Sequence, residues 1–453
     1  MNFLAGRVFS RGRLLSAATA TGLGVALFVA GAVGLSPQFA DGDGPSPAGR
    51  PLPGVRQAAT GTDALAAQIT ALQQRLRILP SDASGWATLG LAYVQQAKVT
   101  ADPSYYPKAE EVLRKSLDIE QADNFAAMAG QAALAAARHD FTTALDWAQR
   151  AVAVNPYNAT LYGTLADALT QLGRYDEAFD AVQRMVDLQP GTPSLARASY
   201  TWELRGDTAT AQAQMGRALA MEPTPADVAF TRYYLSELAL NSGDPAQALT
   251  HAEQGLRADP GYCALYQAKA RAELALGRTQ DAVADYRTAI ARVPQPEYVL
   301  ELGELYQSLG DTTKAREQYD VFGAEQKLFA ANGVAADSDA TLFEADHGSP
   351  AKALALATEG IQTRPFLDMD DAYAWALHVN GRDREALAWS LKATALGSRN
   401  PLYAYHQGVI RQALGDVDQA RELFTRALAA NPAFHPLHAP AARAALTALG
   451  APA

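Results

Sequence analysis

Apolar residues recur at spacings of three and four along most of the chain after residue 62, and short polar breaks interrupt them at intervals. The clearest example is the stretch 159–190, whose first half carries an apolar helical face formed by Tyr162, Leu165, Ala166 and Leu169. Gly173 can then take the positive φ of a helix C-terminus. Pro190 ends a second apolar stripe, because proline lacks an N–H and clashes with a continuing helix. The pattern therefore predicts two short helices around a tight turn.

The same unit recurs in phase along the chain. An alanine of the second helix marks each copy, at intervals of 33 to 38 residues. These alanines are Ala109, Ala144, Ala178, Ala211, Ala248, Ala282, Ala315, Ala353, Ala386 and Ala420. A glycine lies five residues before the alanine in eight copies, and a proline lies twelve residues after it in seven. Three residue types that keep one phase over more than 300 residues indicate an array of about ten helical hairpins.

Several copies carry further signature residues. The first copy has Trp86, Leu89, Gly90 and Tyr93, a middle copy has Leu302, Gly303 and Tyr306, and the last has Ala420, Phe424, Ala427 and Pro432. With these residues the chain resembles the tetratricopeptide repeat family, whose unit is a helix–turn–helix of roughly 34 residues. The resemblance implies an all-α, right-handed superhelical solenoid of about ten units between residues 83 and 432. It also implies that the first helix of each unit, helix A, lines the inner surface.

Departures from the repeat predict where the array is divided. The second copy has His139 and Asp140 in place of the turn glycine, and the seventh helix B overruns beyond Tyr319. We expect the array to bend or break near 332–339. The predicted organisation comprises two sub-arrays and a C-terminal turn with a capping helix that begins near Pro440. Their bounds are 63–328 for the first sub-array with its preceding helix, 329–434 for the second, and 435–453 for the C-terminal segment.

The N-terminal segment has the pattern of a membrane anchor. Residues 1–13 contain three arginines, and the uncharged stretch 14–35 is long enough, as a helix, to span a bilayer. The segment 36–62 is rich in proline, glycine and alanine and predicts a disordered linker. Because basic residues stay in the cytoplasm, we expect the repeats to lie outside a single-pass cell-membrane helix. A cleaved signal peptide, which would release a secreted form, is the alternative, since Ala30 and Ala32 form an A-x-A-like site.

Composition narrows the classes of function. A formal charge of −10 disfavours a nucleic-acid surface, so we expect no nucleic-acid partner. The single cysteine, Cys263, lies in an apolar pattern and is expected to be a small core residue. His435 with His438 and the acidic cluster 368–371 lack the further ligands of a metal site. No catalytic, phosphate-binding or dinucleotide motif occurs, and we expect neither an enzyme nor a cofactor nor a small-molecule substrate.

The inner groove of the solenoid is the main candidate site. We expect it to be lined by residues of helix A that face away from helix B, with tyrosines among charged side chains. The candidate residues are Asp167, Tyr200, Glu203, Tyr233, Glu237, Arg271, Glu304 and Tyr405. Tyrosine gives apolar contact area and a hydrogen bond at low entropic cost, which suits an extended or helical peptide.

The sequence therefore predicts a membrane-tethered scaffold that binds a peptide or protein partner in its groove. A narrower alternative is a chaperone of cytochrome c maturation or of another membrane assembly, because the stretch 65–97 resembles the start of the repeats in cytochrome c maturation factors. A further alternative is a cryptic enzyme or an accessory subunit of a transporter or enzyme complex.

Overall fold

The fold is all-helical over the part of the chain that the structure describes. The computed structural model describes residues 61–221 and 224–450, which form twenty-two helices and no strand. The predicted basic segment, anchor helix and most of the linker lie outside these residues. Among the described helices, none combines the length and the apolar character needed to cross a membrane.

Helix α1 precedes the array and the first half of the array comprises five helical hairpins. Helix α1 spans Gly61–Ile78 and so begins two residues before the predicted start at Asp63. The five hairpins are α2 (Ala83–Thr100) with α3 (Tyr105–Ile119), α4 (Phe125–Ala137) with α5 (Phe141–Val154), α6 (Ala159–Gln171) with α7 (Tyr175–Leu188), α8 (Thr192–Leu204) with α9 (Thr208–Leu219), and α10 (Pro225–Leu240) with α11 (Pro245–Ala258).

Five more hairpins and one terminal helix follow. The hairpins are α12 (Ala264–Ala275) with α13 (Thr279–Arg292), α14 (Pro296–Ser308) with α15 (Thr312–Ala331), α16 (Ser338–Asp346) with α17 (Pro350–Thr363), α18 (Leu367–Val379) with α19 (Asp383–Ala393), and α20 (Pro401–Ala413) with α21 (Val417–Ala430). Helix α22 spans His438–Ala448, packs on α21, and begins two residues before the predicted Pro440. The even-numbered helices α2 to α20 are therefore the ten copies of helix A, and the odd-numbered helices α3 to α21 are the ten copies of helix B.

Small residues at the crossing of helices A and B hold each hairpin together. The register alanine of helix B is 3% exposed at Ala315 and 0% exposed in the other nine copies. On helix A, a Cβ at Gly90 would lie against the side chain of Leu113, and one at Gly408 would lie against Phe424. The periodic alanine is therefore a buried packing position in every hairpin.

The turn between helices A and B has a recurring local design. Seven of the eight predicted turn glycines have positive φ, and the exception is Gly348. In three copies an aspartate follows the glycine and caps the next helix by accepting a hydrogen bond from the backbone N–H three residues later. These aspartates are Asp207, Asp244 and Asp311. His139, which replaces the glycine in the second copy, also has positive φ, at 61°.

Turns of the early repeats contact loops that lie almost half the chain later in sequence. The backbone N–H of Ala335 donates to the carbonyl oxygen of Arg138 at 3.1 Å, and Nδ1 of His139 lies 2.9 Å from the carbonyl oxygen of Ala335. The backbone N–H of Leu367 donates to the hydroxyl of Tyr175 at 3.1 Å. These side-chain bonds join residues 192 to 196 positions apart. The solenoid is therefore coiled so tightly that one superhelical turn rests on the next.

Apolar and backbone contacts continue this seam between superhelical turns. Leu204 packs with Phe366, Leu367 and Tyr403 in one buried cluster. A Cβ at Gly173 would lie 2.5 Å from the carbonyl oxygen of Pro365. At Gly206 a Cβ would overlap the carbonyl oxygen of Gly397. Successive intra-repeat turns therefore meet successive inter-repeat loops in register.

The predicted irregularity after Tyr319 is present. Helix α15 runs for 20 residues, and the following α16 has only nine. The two helices meet through aromatic side chains, because the ring of Phe343 lies 4.7 Å from Phe322 and 5.6 Å from Tyr319. The division into two sub-arrays at residue 328 stays a prediction.

Cys263 is not the fully buried core residue that the sequence predicts. It precedes α12 at the N-cap position and is only partly buried. Its burial is still sufficient to raise the pKa of the thiol to about 11. The thiol therefore stays protonated at neutral pH.

The seam gives a prediction with a matched control. Gly206 and Gly277 are turn glycines with φ of +73° and +75°, but only Gly206 has a neighbouring backbone where a Cβ would be. Gly277→Ala should destabilise the protein by about 1 kcal/mol, the cost of a left-handed alanine. Gly206→Ala should cost roughly 1 kcal/mol or more beyond that, since the carbonyl of Gly397 must also move. Urea denaturation of both variants measures the difference, and equal losses would contradict the contact between superhelical turns.

Candidate functional site

A central cavity of about 310 Å³ lies inside the coil. Seven consecutive copies of helix A contribute to its wall, namely α8, α10, α12, α14, α16, α18 and α20, and the segment 431–438 completes it. Nine carboxyl side chains line it, against two arginines and three histidines. The carboxyl residues are Glu203, Glu237, Glu297, Glu301, Glu304, Asp339, Asp346, Asp368 and Asp371. The basic residues are Arg271, Arg399, His406, His435 and His438.

Five of the eight predicted groove residues line this cavity. They are Tyr200, Glu203, Glu237, Arg271 and Glu304, from four successive copies of helix A. Asp167, Tyr233 and Tyr405 do not line it. The expectation that helix A forms the inner surface therefore agrees with the structure, although the role of the individual residues in binding a partner stays a prediction.

Asp167 joins two neighbouring copies of helix A. It accepts two hydrogen bonds from Arg197, at 2.6 Å from Nη2 and 2.9 Å from Nε. The side chains are 12% and 3% exposed, respectively. This paired geometry, shielded from water, ties α6 to α8.

The two remaining tyrosines are packing residues in this conformation. Tyr233 makes ring contacts with Tyr234 and Tyr262 at centroid distances of 5.0 and 6.4 Å. Tyr405 contacts Phe424 and His438 at 6.0 and 4.8 Å. Both tyrosines are less than a tenth exposed. Each fills the space between adjacent repeats.

Arg271 is the centre of the main charge cluster in the cavity. Its guanidinium lies 2.6 Å from a carboxylate oxygen of Glu237 on α10 and 2.7 Å from one of Glu297 on α14, and it also pairs with Glu301. The hydroxyl of Tyr286 donates to Glu301 at 2.7 Å. The guanidinium of Arg271 thus forms ion pairs with three carboxylates. Burial, together with the neighbouring carboxylates, raises the pKa of Glu297 to about 7 in spite of Arg271.

Glu304 connects the seventh repeat to the eighth and to the C-terminal segment. Its two oxygens each accept a hydrogen bond at 3.0 Å, one from His347 and one from His435. Burial opposes ionisation of Glu304, but the two imidazoles outweigh it and hold its pKa well below the usual range. Burial also opposes the charge on His435, yet Glu304 raises the pKa of that imidazole. The pair is therefore ionic, and it joins elements that the sequence treats as separate.

The acidic segment at the start of α18 is held by the two helices that follow. Nδ1 of His406 donates to Asp371 and Nζ of Lys392 donates to Asp370, both at 2.8 Å, while the hydroxyl of Tyr403 donates to Asp368. These acidic residues lie in the first turns of α18, and Asp368 and Asp371 line the cavity. Among the described residues, no group of three or more side chains has the arrangement of a metal site.

Sequence reasoning missed several residues that line the cavity. Glu297 and Glu301 lie seven and three residues before Glu304, so a helical-face count from Glu304 would have found them. His406 and Asp371 give no comparable signal in the sequence. They belong to different helices, and only the fold brings their side chains together.

Arg271 provides a test of the charge cluster. Arg271→Leu should lower the free energy of unfolding by on the order of 3 kcal/mol at pH 8, because it leaves buried carboxylates without their cation. The loss should be smaller at pH 5, where protonated carboxyl groups need no cation. Denaturation at both pH values measures this. Arg287→Leu, at an exposed position of α13, is the control, and a loss of the same size there would contradict the assignment.

Glu203 provides a pH test. Burial, with Glu237 and Asp368 nearby, raises its pKa from the usual 4.5 to about 7. Between these values the folded chain keeps a proton that the unfolded chain has released, so the group makes stability fall as pH rises. Glu203→Gln should remove that fall and gain stability relative to wild type between pH 5 and pH 8. Thermal unfolding across this range measures it, with the exposed Glu422→Gln as control. Parallel pH profiles for wild type and Glu203→Gln would refute the assignment.

Comparisons with known proteins agree with this architecture. Family models described as tetratricopeptide repeat match residues 135–199, 205–263, 268–324 and 403–433. No curated protein matches the sequence significantly.

Similar solved structures include human IFIT1 as a dimer with PPP-AAAA, at 13% identity and a TM-score of 0.41, covering 82% of this chain and 95% of that one. A thermophilic repeat protein of Thermus thermophilus has 22% identity and a TM-score of 0.37, over 42% of this chain and 99% of that one. A repeat protein of Parabacteroides merdae has 18% identity and a TM-score of 0.33, over 57% and 98%.

The matched segments fall on the second to the seventh and on the tenth of the helical hairpins described above. Repeat register, hairpin geometry and family models therefore lead to one assignment: the chain belongs to the tetratricopeptide repeat family.

Proposed function

We propose that this protein is an interaction scaffold that binds a segment of a partner protein at the central cavity, on the outer face of the cell membrane. Tetratricopeptide repeats form protein-interaction scaffolds, and the fold is typically non-catalytic. The observation that carries the proposal is the convergence of side chains from seven copies of helix A on one cavity. A packed solenoid has no structural need for polar groups from so many repeats at one place.

The mouth of the cavity offers an entry for an extended segment. Ser398 and Arg399 precede α20 and line the cavity, and Arg399 is exposed. Thr208, at the start of α9, and Asn241, directly after α10, line the cavity from the earlier repeats. A partner segment could contact these rims while a side chain enters the interior.

The charge of the cavity favours a protein partner over a nucleic acid. Nine carboxyl groups face it, and the whole chain carries a formal charge of −10. Phosphate groups would meet like charge on entering. We therefore propose no nucleic-acid partner.

The membrane location rests on the sequence of residues 14–35, which is long and apolar enough to anchor the chain, and on the arginines before it. The segment after it, rich in proline and glycine, would hold the repeats off the bilayer. A narrower function in cytochrome c maturation rests only on the resemblance at 65–97, and no residue of that stretch lines the cavity.

Blocking the mouth tests the proposal. The full-length chain with a C-terminal tag is captured from membranes of its native host as wild type, Arg399→Trp and Arg287→Trp. Arg399→Trp should lose the captured partner, because the indole fills the entry, whereas Arg287→Trp on the outer helix α13 should keep it. Circular dichroism and thermal unfolding establish that both variants fold.

Equal recovery of the partner by Arg399→Trp and by wild type would reject the cavity as the binding site. The same tagged chain also reports on which side of the membrane the repeats lie. Protease added to intact spheroplasts should remove the tag, and a protected tag would reject the proposed topology.

A further inference from the structure

Several buried polar atoms at the central cavity lack a hydrogen-bond partner. Oε1 of Glu237, Oδ1 of Asp371 and Nε2 of His406 have no hydrogen-bond partner among the described residues. The three residues are 3%, 1% and 0% exposed, and all three line the cavity. A buried polar atom without a partner has lost its hydrogen bonds to water and gained none in return. Three such atoms at one cavity are therefore an unusual arrangement for a purely structural interior.

Two of the three atoms, on Glu237 and Asp371, are carboxylate oxygens. The two carboxylate oxygens can only accept a hydrogen bond. Nδ1 of His406 donates to the other oxygen of Asp371 at 2.8 Å, which leaves Nε2 as the nitrogen of this ring without a partner. A ligand that satisfies this set must supply donors.

The charge of the cavity selects a cation. Arg271 already serves Glu237, Glu297 and Glu301, and Glu304 is shared between His347 and His435. Asp368 is bonded by the neutral hydroxyl of Tyr403. The cavity therefore contains more carboxyl groups than its own arginines and histidines can neutralise.

The walls favour an organic cation over a metal ion. No three ligating side chains among the described residues are grouped as a metal requires. The carboxylates are spread over several helices, and Leu238, Leu274 and Leu342 add apolar surface to the same wall. Aromatic rings of Tyr200 and Tyr403 also line the space and can contact an ammonium group through their faces.

We infer that the central cavity binds an alkylammonium group, supplied either by a lysine side chain of a bound partner segment or by a free aliphatic amine. An ammonium offers three donors and no acceptor, which suits unpaired carboxylate oxygens such as those of Glu237 and Asp371. Its alkyl chain would lie along the leucine side chains. The first source rests on the proposed scaffold function, and the second does not.

Isothermal titration of the full-length chain tests the inference with 1,4-diaminobutane as the probe. The amine should bind to wild type, whereas the neutral 1,4-butanediol, of the same length, and Mg²⁺ should not. At pH 8, above the raised pKa of Glu203, Asp371→Asn and Glu203→Gln should each weaken binding about tenfold or more, as expected for loss of a charge-assisted bond. Asp418→Asn, whose side chain is 91% exposed on α21, should bind as wild type does.

If Asp371→Asn does not fold, Glu203→Gln still tests the inference, because Glu203 is not part of the Asp371–His406 pair. Binding of 1,4-butanediol or Mg²⁺ as strong as that of the amine would overturn the inference. Wild-type affinity in both folded cavity variants would overturn it as well.

Adding the amine to the partner capture separates the two sources. If the amine binds and releases the partner, the ammonium site is the one that a partner's lysine occupies. If the amine binds and the partner stays, the site takes a free amine. If the amine does not bind while Arg399→Trp still loses the partner, the inference fails and the scaffold function stands.

Discussion

The contact between one superhelical turn and the next is the constraint on which the rest of this structure depends. Intra-repeat turns at His139, Gly173 and Gly206 meet inter-repeat loops at Ala335, Pro365 and Gly397. Because each such contact has the same place in the repeat, successive superhelical turns stay in register. This close coiling brings seven copies of helix A around one cavity.

Buried charge follows from this closure. In an open coil the inner positions of helix A would face water, but here they face one another. Arg271 therefore pairs with carboxylates from two helices, and Glu304 accepts hydrogen bonds from two histidines. Such pairs link separate repeats, but they contribute little net stability once desolvation is included. The ligand that we propose for the cavity would give these charges a role beyond folding.

The fold could be predicted from the sequence because its determinants are local and periodic. The alanine register located all ten hairpins, and the turn glycines were correct except at Gly348. The cavity could be predicted only in part. Spacing placed Glu237 and Arg271 on the inner face, but it could not distinguish them from Tyr233, which a neighbouring repeat covers. The contacts across 192 to 196 residues depend on the angle between repeats, which no motif encodes.

The register between superhelical turns also limits how such a chain can evolve. Open solenoids are modular, since each repeat touches only its neighbours, and copies can be gained or lost by duplication and deletion. In this chain the loss of one repeat between Gly206 and Gly397 would bring the next inter-repeat loop against the turn at Gly206 in place of the loop at Gly397. A gained or lost repeat therefore changes which residues meet between superhelical turns, and each new pair has to fit as closely as the present one.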